Sequence, residues 1–144
     1  MTATVIVGID GSEPSKHAVA YASTLAQAQE VNLVLAHVIP WSPYSFNTPT
    51  DNEERGERKQ EEIRAATTQI IEPAVAAASD AACEVTPVVR HGDPVDTLVT
   101  LASEFAATAI IVGRTGDSRV KRALFGSIPG HLVHESTIPV TVVP

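Results

Sequence analysis

Gly113 to Ser127 is the stretch of this chain best equipped for chemistry. It contains Gly113, Gly116 and Gly126 and closes on Ser127, and it carries Arg114, Arg119, Lys121 and Arg122 against one acid, Asp117. Glycine suits a site for an anion, because without a side chain the backbone N–H groups can approach oxygens directly and positive φ is accessible. An apolar run, Ala109 to Val112, precedes it and reads as a buried strand. A segment of helical character, Ile128 to Glu135, follows. Strand, glycine-rich turn and helix N-terminus in succession is where α/β proteins hold phosphates. The whole chain has a formal net charge of −7, so cations gathered in one loop imply an anion to be met there. The competing reading is a long solvated connection with ordinary surface charge.

A second candidate is Asp10, in the turn that ends the opening segment Thr4-Val5-Ile6-Val7-Gly8-Ile9. Its carboxylate can accept hydrogen bonds from ribose hydroxyls or help hold a cation. It can equally bond the backbone of Gly11-Ser12 in an Asx-turn. A carboxylate does not bind phosphate, so a nucleotide would need Asp10 at the sugar and the glycine loop at the phosphates. The chain has no Gly-Lys-Ser or Gly-Lys-Thr of a Walker A loop, and Gly8 to Gly11 lacks the three glycines of the dinucleotide fingerprint.

The remaining composition bounds the answer. A chain of 144 residues, 44% hydrophobic and 19% charged, is expected to form one globular domain, residues 1–144. Aromatic residues make up only 4%, so Val, Ile, Leu and Ala must build the core. The acidic balance argues against nucleic acid and against anionic membrane as partners. Cys83 is the single cysteine, which excludes an intrachain disulfide and a cysteine-based metal cluster. No signal peptide or membrane-length apolar run is evident, and the expected location is cytoplasmic.

The elements that must position these residues follow from periodicity. Thr4 to Ile9 is apolar on both faces, as an interior parallel strand should be. Ser12 is a plausible N-cap and Pro14 is tolerated in the first turn of a helix carrying Ala18, Val19, Ala22, Leu25 and Ala26 to about Gln29. Val31 to Ile39 is a second strand. Pro40 to Pro49 is too dense in proline for regular structure, and within it the Trp41 to Phe46 loop, with the only Trp, either covers a ligand, offers a partner surface or is a plain loop. A helix is expected from Asp51 to about Ala82, distorted at Pro73. Glu84 to Val89 is a third strand, placed at a sheet edge by Pro87. His91-Gly92-Asp93-Pro94 opens a helix capped by Asp93, with a stripe of Val95, Leu98, Val99, Ala102 and Phe105. Pro139 to Val143 is the last strand.

This β-α alternation selects an α/β fold, a five-stranded parallel sheet with helices on both faces and Rossmann-like strand order 3-2-1-4-5. The ligand crevice of such a sheet lies beyond the carboxyl ends of the strands flanking its reversal, here the first and fourth. Asp10 and the Gly113 loop both sit there.

Gly113, two residues, Gly116, nine residues and Gly126-Ser127 resembles the nucleotide-binding signature of the universal stress protein family, in its ATP-binding subgroup. The resemblance extends to Val7 through Ser12, the Gly92 turn and the terminal Pro139 to Val143. It implies a homodimer binding ATP, commonly with Mg²⁺, and pairing its last strand, Val140 to Val143, across the dimer. By matching positions, Asp10 would meet ribose or adenine, the Val38 backbone the adenine edge, and Gly113, Gly116, Gly126 and Ser127 the phosphates. Arg119 and Ile128 complete the expected nucleotide-binding set. Two departures stand out: Thr108 replaces the family's usual Asp before the fourth strand, and Pro129-Gly130 weakens the last helix at its start.

Other groups carry less. His131 and His134 share helical spacing but have no third ligand in the sequence, His37 reads as a satisfied strand residue, and Glu53 to Glu62 as a solvated helical face. No nucleophile, base and orienter can be assembled, so no catalytic residue is assigned. The expected function is a nucleotide-dependent stress or regulatory protein with at most weak ATP hydrolysis. The alternatives are a slow ATPase or phosphotransferase using the same pocket, and a nucleotide-free dimeric interaction module.

Overall fold

A computed structural model describes residues 2–40, 49–79, 83–114 and 128–144, with side chains from Gly56 onward in the second of these spans. Five strands form one parallel sheet: β1 Thr4–Gly8, β2 Asn32–Ile39, β3 Val85–His91, β4 Ala109–Gly113 and β5 Val140–Val143. Their order is β3-β2-β1-β4-β5, with the reversal between β1 and β4. The helices are α1 Glu13–Gln29, α2 Pro49–Ala66, α3 Glu72–Ala78, α4 Pro94–Glu104 and α5 Ile128–Glu135.

Strand alternation divides the core into two layers. Val5, Val7, Leu33, Leu35 and Ile111 face α1 and α3, meeting Ala18, Val19, Ala22, Ala26 and Ala78. Ile6, Val34, Ala36, Val38, Ile110 and Val112 face α4 and α5, meeting Val95, Leu98, Leu101 and Leu132. Ile6, Leu33, Leu35, Leu101, Ile110 and Leu132 are fully buried. Each such side chain contributes roughly 1.5–3 kcal/mol of hydrophobic stabilisation. The central strands β1, β2 and β4 are therefore mainly apolar, with Asn32 and His37 as polar interruptions of β2.

The caps explain where α1 and α4 begin. Ser12 accepts Ser15 N–H ahead of α1, and Asp93 accepts Asp96 N–H ahead of α4, each with a proline in the first turn. The α4 stripe differs a little from expectation: Leu101 joins Val95, Leu98 and Ala102 in full burial, while Val99 and Phe105 are only partly buried.

Three other expectations are corrected. The long helix begins at Pro49, and its distortion is a π-helical segment, Thr67–Ile71, between α2 and α3. Pro73 has no N–H for a normal helical bond and its ring crowds the preceding turn, so the widened turn answers both problems. Glu72 N–H reaches Thr67 O across it. β3 extends to His91, two residues beyond the expected strand, because β2 stays paired with it through Ile39 opposite His91. His91 thus belongs to the strand rather than to the helix-opening turn. β2 and β5 each start one residue later than expected, at Asn32 and Val140. Pro87 does lie on an edge strand.

Candidate functional site

At the carboxyl ends of β1, β2 and β4 lies a cleft of about 220 Å³. It is lined by Gly8, Asp10, Ser12, Ala36, His37, Val38, Leu98, Val112, Ile128 and Pro129, among others. Of the expected nucleotide residues, Asp10, Val38, Gly113 and Ile128 line this one cleft. Gly116, Arg119, Gly126 and Ser127 lie outside the described residues, as does the Trp41 to Phe46 loop.

Asp10 is exposed and its local bonds are those of an Asx-turn. Oδ1 accepts Ser12 N–H at 2.9 Å and the Ser12 hydroxyl at 2.6 Å. Asp10's own N–H donates to Ser15 Oγ at 3.0 Å. Gly11, at φ 82°, makes the left-handed step that starts α1. These bonds hold the carboxylate at the cleft rim.

Val38 reaches the site through its backbone. Even-numbered residues of β2 bond toward β1: Asn32 N–H reaches Ala3 O, and Ala36 O accepts Ile9 N–H, both at 2.8 Å. Odd-numbered residues bond toward β3: Leu33 N–H reaches Glu84 O, and Ile39 O accepts Gly92 N–H, both at 2.9 Å. By this alternation Val38 turns its N–H and C=O toward the β1 side. The β1 register ends with Gly8 opposite Ala36, so β2 projects beyond its neighbour there. An extended backbone at such an end offers one donor and one acceptor side by side.

Gly113 has a steric requirement that sequence reasoning did not supply. A Cβ there would lie 2.5 Å from Pro14 C and 2.7 Å from Pro14 O, so the end of β4 touches the backbone of α1's first turn. Gly113 also ends the β4–β5 register opposite Val143, and the next N–H, that of Arg114, donates to Val143 O at 2.7 Å. Gly8 is constrained too, with a Cβ meeting Val112 Cγ1 at 3.0 Å and Leu98 Cδ1 at 3.1 Å.

α5 starts at Ile128 as expected, directly at the cleft. Its N-terminus brings a positive dipole end to the mouth. Pro129 is buried in the first turn and withholds one N–H from that end. Thr108 lies at the opposite end of the sheet, where its N–H donates to Thr4 O at 2.9 Å.

The histidines divide by surroundings. His37 Nδ1 lies 2.7 Å from Ile9 O, and since a carbonyl only accepts, Nδ1 carries the hydrogen. His91 Nε2 lies 2.8 Å from Glu62 Oε2, tying the end of β3 to α2. His131 and His134 are exposed on α5. Among the described residues no group of His, Cys, Asp and Glu is arranged to hold a metal ion. Missed from the sequence were Ser15, Pro94 and Leu98 as lining residues. Ser15 is 4% exposed, and its place three residues after the N-cap was the available signal. Burial pushes the Cys83 thiol up, opposed by a hydrogen bond with the Leu33 backbone.

Among the described residues, no helix is long and apolar enough to cross a membrane. Curated relatives in Mycobacterium tuberculosis include universal stress protein Rv1996 (strain ATCC 25618 / H37Rv), 30% identical over 153 residues, covering 97% of this chain and 47% of the relative. Universal stress protein MT1672 (strain CDC 1551 / Oshkosh) is 32% identical, covering 97% of this chain and 94% of the relative. The chain spans about half the length of Rv1996 and several other curated relatives that it matches.

Solved structures agree on the fold. The universal stress protein UspA from Lactobacillus plantarum superposes with TM-score 0.82 at 22% identity, covering 99% of this chain and 97% of that one. A universal stress protein in complex with cAMP gives TM-score 0.71 at 29% identity, covering 99% and 96%. One from Archaeoglobus fulgidus in complex with dAMP gives 0.70 at 20% identity, covering 99% and 98%. The sequence pattern of the universal stress protein family matches residues 1–144 from end to end. The chain belongs to the universal stress protein family.

Proposed function

We propose that this protein binds ATP in the cleft and acts as a nucleotide-dependent stress or regulatory protein, with residues 1–144 forming its single nucleotide-binding domain. The observation that carries the reading is the projecting backbone edge of Val38, beside Asp10 and across the sheet's reversal from Gly113. A purine base fits the Val38 edge, ribose hydroxyls fit the Asp10 carboxylate, and the phosphates run toward the start of α5. In this reading Gly113, Gly116, Gly126 and Ser127 carry the phosphates, with Arg119 supplying charge and Ile128 opening the helix. The solved relatives with cAMP and dAMP support a nucleotide of this kind.

Mg²⁺ in this account enters coordinated by the triphosphate oxygens, its usual manner of binding with nucleotides. Asp10 is the carboxylate at the cleft rim available to its hydration shell. The β5 edge, Val140 to Val143 with Val142 39% exposed, is the surface proposed to pair with a second copy in a cytoplasmic homodimer. Occupancy rather than turnover is the proposed output.

Denaturing the purified protein and identifying released nucleotide by mass spectrometry tests the reading, followed by calorimetric titration of the emptied protein. ATP released and rebound with unit stoichiometry is the expected result. Failure to bind ATP or another adenine nucleotide would overturn it.

A further inference from the structure

We infer that His37 is a positioning residue that holds the Val38 edge open for a base and thereby sets the base selectivity of the cleft. The inference rests on the nucleotide reading above and adds the group that makes the edge selective.

β1 and β2 stop one rung short of Val38. Their register ends at Gly8 opposite Ala36, closed by Ile9 N–H to Ala36 O. One step further, a parallel ladder would join Val38 N–H to Ile9 O. That carbonyl instead receives His37 Nδ1–H at 2.7 Å. The next residue, Asp10, gives its N–H to Ser15 Oγ at 3.0 Å. Two side-chain bonds thus turn the chain away from β2 just past the last rung, and among the described residues this leaves Val38 with a donor and an acceptor facing the cleft.

Side-chain alternation allows His37 to do this without filling the base position. His37 projects with Leu35 toward the α1 layer, whereas Val38 packs in the α4 layer. Removing the imidazole releases the Ile9 carbonyl, which the His37 bond holds in place, to turn toward Val38 N–H, extending the ladder by one rung and consuming the donor that a base would use. The remaining carbonyl alone reads a base poorly. With both groups free, adenine's 6-amino group and N1 match acceptor and donor, while guanine presents the reverse order at the same two positions. A mismatched buried pair is heavily penalised, so selectivity depends on both groups being available.

The test compares the wild-type protein with His37→Ala and His37→Asn, titrated calorimetrically with ATP, GTP and inorganic tripolyphosphate. His37→Ala should weaken ATP about tenfold and collapse the ATP-to-GTP preference, with tripolyphosphate affinity unchanged. His37→Asn, whose side-chain amide can donate to the same carbonyl, should restore most of that preference. Amide hydrogen exchange reads the rung without ligand: Val38 N–H should exchange readily in wild type and become protected in His37→Ala. An unchanged ATP-to-GTP ratio in His37→Ala, equal weakening of all three ligands, or a protected Val38 amide in wild type would each overturn the inference. A wild-type protein that binds tripolyphosphate but neither nucleotide would overturn the proposed function itself. Loss of nucleotide preference without the expected change in Val38 exchange would overturn the inference as well, because selectivity would then not depend on the open rung.

Discussion

Around β1 the two ends of the sheet are finished in opposite ways. At the amino ends the strands are stitched to one another: Asn32 N–H to Ala3 O, Glu84 N–H to Asn32 Oδ1 at 3.1 Å, and Thr108 N–H to Thr4 O. At the carboxyl ends around β1 the neighbours part. Val38 projects past β1, Asp10 turns into α1, and glycines at positions 8 and 113 keep side chains out of the gap. Both ends must answer for their backbone polar groups, since a buried N–H or C=O without a partner is costly. One end answers with internal bonds, and at the other, among the described residues, the Val38 N–H and C=O stand without a backbone partner. The difference is the ground for proposing that a nucleotide binds at the ladder's unfinished end.

Substitutions at the two ends should therefore separate stability from binding. The largest effect is expected from Gly113→Val, because the new Cβ would lie 2.5 Å from the Pro14 backbone, which cannot rotate away as a side chain can. Urea unfolding should show a loss of about 1–3 kcal/mol, typical of overpacking, and ATP affinity should fall at least about tenfold as α1's first turn moves. Wild-type stability and affinity together would remove the close contact from the account.

Asn32→Ala is the matching change at the amino end. It deletes the acceptor for Glu84 N–H and should cost about 0.5–1.5 kcal/mol in urea unfolding, with ATP affinity kept within about twofold. A large affinity loss there would break the contrast between the ends.

The smallest effect concerns Arg90 and Glu104, which tie β3 to α4 in a bidentate pair, Nη1 to Oε1 at 3.0 Å and Nη2 to Oε2 at 2.7 Å. The hydrogen bond from Arg90, aided by its charge, holds the Glu104 carboxyl below the usual carboxylate range. A carboxyl group with a lowered folded-state pKa contributes stability above its unfolded-state pKa and loses it as pH falls through the folded value. Both groups are partly exposed, so solvent screens most of the gain. Thermal melts from neutral to acid pH should show Glu104→Gln losing slightly less stability than wild type across the acid range. Parallel curves would remove the pair from the acid response.

The sheet was legible because its signals are local and redundant. Apolar runs in β1, β2 and β4, the capping residues Ser12 and Asp93, and Pro87 at an edge each point to one topology. Boundaries were less so. His91 joins β3 because β2 remains beside it through Ile39, a pairing that neither segment announces on its own. The π-helical turn before Pro73 is a response of the backbone to a missing donor, and periodicity suggests a distortion without specifying its form.

At the site, Asp10, Val38, Gly113 and Ile128 do meet in one cleft. The need for glycine at position 113 was invisible in sequence, because it arises from contact with Pro14 across 99 positions of chain. His37 was read only as a satisfied strand residue. Its partner proved to be the carbonyl that ends the neighbouring ladder, which gives an ordinary hydrogen bond a place in recognition.

Amide chemical-shift mapping during an ATP titration of the wild-type protein tests the contrast between the two ends most directly. The account predicts saturable shifts concentrated at Val38, Asp10 through Ser12 and Gly113, with Asn32, Glu84 and Thr108 unmoved. Shifts centred on the amino ends of the strands, or an unchanged spectrum at ATP concentrations well above the cellular range, would contradict it.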